Sequence, residues 1–411
     1  MPMIILRNGN VFDGTSAEIL EGADVVVEDG HIREVSARPV LLPGAQLIDL
    51  GGRFLMPGLI DAHAHPHLSS LDAAAASRMR PTYYAHHAAR VLRFALSCGF
   101  TTLRDAGGGD AGLAQALDEG LIEGPRLFYA GRALSQTGGH GDLRDPRLVD
   151  PPVCACRALG DSLAVVVDGE DAVRRAVREE LRLGASHIKI MASGGVFSPG
   201  GSVDACQFSM TEIGAVVDEA ARAGKYVLAH CHSAAAIRRC VEAGVRSLEH
   251  VTLIDDDTAR LLVASGAYAV PTMAIMYALE AEGGKFGMLP HVRDKLRAML
   301  PTGLRCLEIL KRAGARMGFG CDLIGPLHAW QCRELLIRAQ VLTPLEILRS
   351  ATSINAEIMM RSGEIGCIAA GARADLIVVD GDPLRDIGLL AANGSHLSLI
   401  MKGGQLHRNA L

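Results

Sequence analysis

Two histidines one residue apart close an apolar run, Leu59-Ile60-Asp61-Ala62-His63-Ala64-His65. In an extended strand, residues i and i+2 face the same side, so His63 and His65 can present both imidazoles to one divalent cation. Further residues of metal-binding type end other apolar runs: His230 after Tyr226-Val227-Leu228-Ala229, His250 after Arg246-Ser247-Leu248-Glu249, and Asp322 after Met317-Gly318-Phe319-Gly320-Cys321. Lys189 sits between isoleucines in His187-Ile188-Lys189-Ile190-Met191. Any one of these would pass as a satisfied core residue. All of them at equivalent places need a common cause.

The runs that carry them belong to a regular alternation. Strand-like segments at 56–63, 100–105, 126–131, 186–191, 225–230, 245–250, 267–272 and 315–322 are interleaved with amphipathic helical patterns such as 169–183, 211–223, 233–243 and 255–265. Such an order predicts the α/β class and a (β/α)8 TIM barrel, whose chemistry sits at the carboxyl ends of its strands. His63, His65, Lys189, His230, His250 and Asp322 would then share one rim.

Both chain ends read differently. Short β-branched runs flank Asn8-Gly9-Asn10 and Asp29-Gly30, and the pattern returns in Ala374-Asp375-Leu376-Ile377-Val378-Val379-Asp380 and Leu397-Ser398-Leu399-Ile400-Met401. Asn-Gly and Asp-Gly between such runs signal hairpins. Neither end has enough apolar residues to bury a sheet alone, so the two are expected to pack as one small β-sandwich. The expected division is 1–55 plus 363–411 for the sandwich and 56–362 for the barrel.

Four histidines, a carboxylate and a lysine exceed what one tetrahedral ion needs, and two ions sharing a bridge fit better. A lysine buried beside divalent cations loses its proton. The neutral amine of Lys189 can take up carbon dioxide as a carbamate whose oxygens bridge both ions. The alternative is a charged lysine beside a one-metal site. A divalent ion brings bound water to a pKa near ~7, and Asp322 could take that proton and pass it to a leaving amine. Hydrolysis of an amide, ester, carbamate or cyclic amide follows. Zinc is the first choice of ion, although cobalt, manganese and iron accept the same ligands.

With 46 acidic and 41 basic residues interspersed over 411, the net charge of −5 offers no basic stripe for nucleic acid or an anionic membrane. The N-terminal residues lack the pattern of a signal peptide, and no apolar run reaches the ~20 residues of a membrane span. The ten cysteines are irregularly spaced, as in a reduced cytoplasmic protein, and Cys154-Ala155-Cys156 is too close for a zinc knuckle. The expected partner is a small molecule.

Met56-Pro57-Gly58-Leu59-Ile60-Asp61-Ala62-His63-Ala64-His65, followed by Lys189, His230, His250 and Asp322, resembles the amidohydrolase superfamily in its binuclear, carbamylated-lysine subtype. The resemblance covers essentially the whole chain. It implies His63 and His65 on the more buried ion, Lys189 as carbamylated bridge, His230 and His250 on the second ion, and Asp322 as ligand and proton shuttle. It also implies a homo-oligomer. Ile188-Lys189-Ile190-Met191-Ala192-Ser193-Gly194-Gly195, Ser135-Gln136-Thr137-Gly138-Gly139-His140-Gly141-Asp142 and Ser247-Leu248-Glu249-His250 look like the prolidase-like branch. That branch removes a C-terminal amino acid from dipeptides or N-acyl amino acids, with close relatives acting on ochratoxin-type amides. Cys321 stands where threonine is common, and His232 where tyrosine is common.

Three loops are expected to set specificity. The long segment 132–168 offers His140 to a substrate carbonyl or carboxylate. Gly194 and Gly195 expose backbone N–H groups after strand four, and His232 is a further candidate. Met273 to Leu289, with Tyr277 and Gly283-Gly284, reads equally as lid or connector. Arg144 and Arg157 are available cations. The alternatives are a xenobiotic amide or carbamate hydrolase, an imidazolonepropionase-like cyclic amidohydrolase, and a non-catalytic metal-binding scaffold.

Overall fold

The computed structural model describes residues 3–72, 79–144, 163–198 and 201–411. Cys154, Cys156 and Arg157 lie outside the described residues. The N-terminal strands are β1 Ile4–Val11, β2 Leu20–Glu28, β3 His31–Ser36, β4 Gln46–Asp49 and β5 Phe54–Pro57. The central strands are β6 Leu59–Ala64, β7 Phe100–Asp105, β8 Arg126–Phe128, β9 Ala133–Ser135, β10 Ala164–Val166, β11 Ile188–Met191, β12 Val227–Ser233, β13 Ser247–Leu253 and β14 Tyr268–Val270. At the end come β15 Leu376–Val379, β16 Leu397–Lys402 and β17 Gln405–Asn409.

The chain ends do come together, but as one sheet where a two-sheet sandwich was expected. Eight strands run in the order β17-β16-β15-β5-β1-β2-β3, with β4 also paired to β1. β1 meets β4 through its first half and β5 through its second, so the sheet branches and folds over a shared core. Leu6, Val25, Leu55, Leu376 and Leu399 meet in that core, fully buried. A sheet that curls on itself buries the same apolar face a sandwich would, without an unpaired edge in the middle.

The expected first strand, 56–63, is divided at Gly58. β5 belongs to the terminal sheet and pairs with β15, whereas β6 pairs in parallel with β7. A Cβ at Gly58 would collide with the Thr101 side chain, so only glycine lets the chain cross between sheets here.

In the central region β6-β7-β8 form one parallel sheet and β10-β9-β11-β12-β13-β14 another. Ser186 N donates to the Tyr129 carbonyl at 2.9 Å, joining the segment after β8 to that before β11. At the other side, the 315–322 run is bonded to both neighbours: Gly318 N reaches the Ala269 carbonyl at 2.8 Å and Ala62 N reaches the Phe319 carbonyl at 2.9 Å. The segment 132–168, expected as a loop, contains β9 and β10, which pair with each other in parallel.

Helices Glu170–Arg182, Met210–Arg222, Ala234–Glu242 and Asp256–Ser265 match the expected amphipathic patterns within two residues. Ser209, Ser233 and Asp255 accept the N–H three residues on and so start three of them. Their apolar faces cover Ile188, Ile190, Val227 and Leu248, all buried. Each such side chain contributes roughly 1.5–3 kcal/mol. Among the described residues, no helix is long and apolar enough to cross a membrane.

Asn355 ties the 315–322 run to β6. Its fully buried amide donates to the Ile60 carbonyl at 2.7 Å and the Phe319 carbonyl at 2.9 Å, and accepts from Phe319 N at 3.1 Å. Asn355→Ala removes all three bonds, leaving Phe319 N only the Ser350 carbonyl and the Phe319 carbonyl only Ala62 N, and should destabilise the fold by about 3 kcal/mol, read as a lower urea midpoint. A midpoint equal to that of the wild type would refute the tie.

Candidate metal centre and active site

β6 carries His63, with His65 one residue beyond it, β11 carries Lys189, and β12 and β13 carry His230 and His250. All five are buried. Asp322 closes the 315–322 run and faces them. Its Oδ1 lies 3.4 Å from His63 Nε2 and 3.2 Å from His65 Nε2, and its Oδ2 lies 3.8 Å from His250 Nδ1. His63, His250 and Asp322 bring ligand atoms within 4.8 Å of one another, the spacing of a metal site. The His230 ring stands 4.5 Å from that of His250, centroid to centroid. Lys189, on β11 next to β12, makes no ion pair among the described residues, and burial lowers its pKa.

Hydrogen bonds to the ring nitrogens orient these groups. His63 Nδ1–H donates to Glu249 at 2.6 Å and His65 Nδ1–H to the Gly107 carbonyl at 2.9 Å, and the Nε2 atoms of both rings face Asp322. His230 Nε2 bonds the Gly194 carbonyl at 3.1 Å, and His250 Nδ1 pairs with Thr272 Oγ1 at 2.8 Å. A metal-ligating histidine typically has one ring nitrogen tied to the protein; in His63 and His65 that is Nδ1, with Nε2 toward Asp322, whereas in His250 the tied Nδ1 is itself the nitrogen near Asp322. Burial, with neighbouring histidines, holds His230 and His250 neutral, as ligation requires. The donor set fits a divalent cation.

The backbone is strained at the same place. His250, Val251 and Asp322 have φ of 69°, 45° and 58°, in the left-handed region. For β-branched Val251 this is a genuine outlier. The turn aims His250 inward and is held by the parallel pairing of β12 with β13.

Beneath the rim lies a buried network that sequence reading did not single out. Arg104 on β7 donates to Glu249 at 2.9 Å and to the Ala62 carbonyl at 2.5 Å, and Ser247 donates to the same carboxylate at 2.5 Å. Burial opposes ionisation of Glu249, but the Arg104 charge and the His63 hydrogen bond hold its pKa down to about 2. The signal available was a charged residue inside each of two apolar runs, Arg104 in β7 and Glu249 in β13. Asp61 is a similar case, accepting from His63 N at 3.0 Å and Gln331 at 2.9 Å.

The residues expected to touch substrate divide. His140 stacks on His230 with centroids 4.1 Å apart, and its Nδ1 pairs with Ser198 Oγ at 2.9 Å. Burial brings its pKa down to about 4. His232 stacks on His250 at 4.9 Å and pairs with Thr252 at 3.0 Å, and burial takes its pKa to about 3. The glycine donors are a correction. Gly194 N is bonded to the Ala205 carbonyl and Gly195 N to Ser198 Oγ, each at 2.9 Å, so neither faces outward. Gly195 instead makes space, since a Cβ there would overlap the His140 ring. Met273–Glu282 is a helix with six buried residues, which favours the connector reading of that segment. Its Tyr277 is half-buried and makes no hydrogen bond or ring contact with the histidines among the described residues. Arg144 is engaged by Asp142 at 2.6 Å.

The amidohydrolase family profile matches residues 54–406, which contain every one of these groups. The chain belongs to the amidohydrolase family. It is similar to ochratoxinase from Aspergillus niger, at 32% identity over 86% of this chain and 75% of that protein. Among solved structures it is similar to a prolidase in complex with N-methylphosphonate-L-proline, at 45% identity and a TM-score of 0.96 over 99% of this chain and 100% of the other. A second amidohydrolase structure matches with 45% identity and a TM-score of 0.97 over the full length of both. This amidohydrolase is therefore a metal-dependent hydrolase of carbon–nitrogen bonds in small molecules.

Within it, Glu249→Gln should weaken divalent-metal affinity about 10- to 100-fold, through loss of the charge that orients His63. It should also cost about 3–5 kcal/mol by stranding Arg104. Because Glu249 is held below the 4.5 of a free glutamate, its contribution is complete above that pH and is lost as pH falls toward 2. Metal titration, with urea unfolding of the metal-free protein from pH 7 to pH 3, tests both. A variant equal to the wild type in affinity and midpoint would dismiss this role.

Proposed function

We propose that this amidohydrolase releases a C-terminal amino acid from dipeptides or small N-acyl amino acids, with ochratoxin-type amides among its substrates. What carries the reading is the rim itself, where Asp322 stands 3.2 and 3.4 Å from two oriented histidines beside buried Lys189. The likeness to a prolidase and to ochratoxinase supports the substrate class. In this reading the 56–362 body is a (β/α)8 barrel, closed by the 315–322 run, and residues 1–55 with 363–411 form the accessory unit. The backbone bonds from Ala62 and Gly318 support closure.

His63 and His65 would hold one divalent ion, His230 and His250 a second, with Lys189 as the carbamate bridge and Asp322 as a further ligand. When bound, the ions, zinc in the first instance, supply Lewis acidity toward the scissile carbonyl and a nucleophile at neutral pH. Lys189 reaches the carbamate by adding its neutral amine nitrogen to the carbon of carbon dioxide and losing one proton. Burial opposes ionisation of Asp322, yet His63 and His65 hold its carboxyl well below the usual range, so it is ionised at neutral pH. It accepts the proton of the attacking water and delivers it to the leaving nitrogen. Neutral His140 and His232 flank the site as hydrogen-bonding walls. Gly194 orients His230 and Gly195 leaves room for His140. The enzyme acts as a cytoplasmic homo-oligomer on small molecules, with neither nucleic acid nor membrane as partner. Its acidic net charge supports the last point.

The reading is tested by releasing amine from N-acyl amino acids, Xaa-Pro, Xaa-Phe and Xaa-Arg dipeptides and ochratoxin-like amides, beside neutral carbamates and lactams. Cleavage confined to substrates with a free C-terminal carboxylate is expected. Turnover of carbamates or lactams alone would replace it with the xenobiotic or cyclic-amide reading. Asp322→Asn should leave most of the bound metal in place and lower kcat by at least about 100-fold. Lys189→Ala should lose bridged metal and nearly all activity, with partial rescue by short carboxylates such as formate. Full activity of that variant would exclude the carbamate.

A further inference from the structure

A substrate carboxylate calls for a charged donor, and the polar side chains flanking the metal cluster are already engaged. His140 Nδ1 is taken by Ser198 Oγ, His232 Nδ1 by Thr252 Oγ1, and Arg144 by Asp142. Lys295 is placed differently. It projects from the helix Pro290–Ala313, is half-buried, and forms no ion pair with a carboxylate among the described residues. Its Nζ donates to the Ser198 carbonyl at 3.1 Å. The same residue's Oγ reaches His140 Nδ1 and Gly195 N, each at 2.9 Å, and His140 lies against His230. The ammonium thus stands on the wall of the site, joined to the His140 ring through Ser198.

One of its three N–H donors is used by the Ser198 carbonyl, and the others have no partner among the described residues. A partly desolvated cation without a counter-ion is costly to keep, and a carboxylate ligand would relieve that cost. The carboxylate of a C-terminal amino acid lies one residue, at most ~3.6 Å of chain, beyond the scissile bond. A four-carbon lysine stem can follow it there.

We propose that Lys295 is a specificity-determining residue that holds the C-terminal carboxylate of the substrate. The inference rests on the substrate reading given above. It accounts for selection of free acids and puts the discriminating charge on a helix remote in sequence from every metal ligand.

The test compares wild type, Lys295→Met, Lys295→Gln and Lys295→Arg on an N-acyl amino acid and on its neutral C-terminal amide. The Met and Gln variants should raise KM for the acid about 10- to 100-fold, as expected for losing a charged hydrogen bond, with kcat within about twofold. The preference for acid over amide should fall by the same factor and be largely kept by Arg. Unchanged metal content and urea midpoint show that the fold is intact. Should wild type prefer the acid and both variants keep that preference, Lys295 is not the carboxylate ligand, while the substrate reading stands. An equal loss on acid and amide also overturns it. A wild type that prefers amides overturns the substrate reading and this inference with it.

Discussion

Arg104 and Glu249 form an ion pair with both side chains fully buried, and the rim above depends on it. The guanidinium binds the Ala62 carbonyl of β6 and the carboxylate of β13, so one side chain on β7 ties three strands together. Glu249 spends its other oxygen on His63. In a low-dielectric interior the pair is stable only with its remaining bonds satisfied, which Ser247 helps to do. His63 is thereby fixed in ring angle and tautomer before any ion arrives.

How far this was legible depends on the length scale of each signal. His63 and His65 share a face through strand periodicity, and the ends of 225–230, 245–250 and 315–322 could be counted along the chain, so the donor set was visible before its geometry. The helices beside β11, β12 and β13 were visible because their apolar spacing is local. The shape of the terminal sheet was not. Whether β1 pairs with β4, with β5 or with both turns on contacts between residues some forty positions apart. Arg104 and Glu249 were hidden for a related reason: a charge inside an apolar run has meaning only once its partner, about 145 residues away, is known.

The glycines show the same division in miniature. Gly194 and Gly195 follow a catalytic strand, and flexible backbone there invites a reading as exposed amide donors. Their N–H groups are turned inward, and what they contribute is volume: a tight fold against residues 202–205 and a slot for the His140 ring. Absence of a side chain can serve either purpose. Only the partners of the N–H decide which, and those lie outside the local sequence.

The crossing at Gly58 has a mechanical consequence. β5 is clamped between β1 and β15, and β6 begins two residues after β5 ends. Because facing alternates at every residue, a slip of one position in that clamp would turn His63 and His65 to the opposite side of their strand. The terminal sheet, distant from the chemistry in composition, therefore works as a register stop for the first pair of metal ligands.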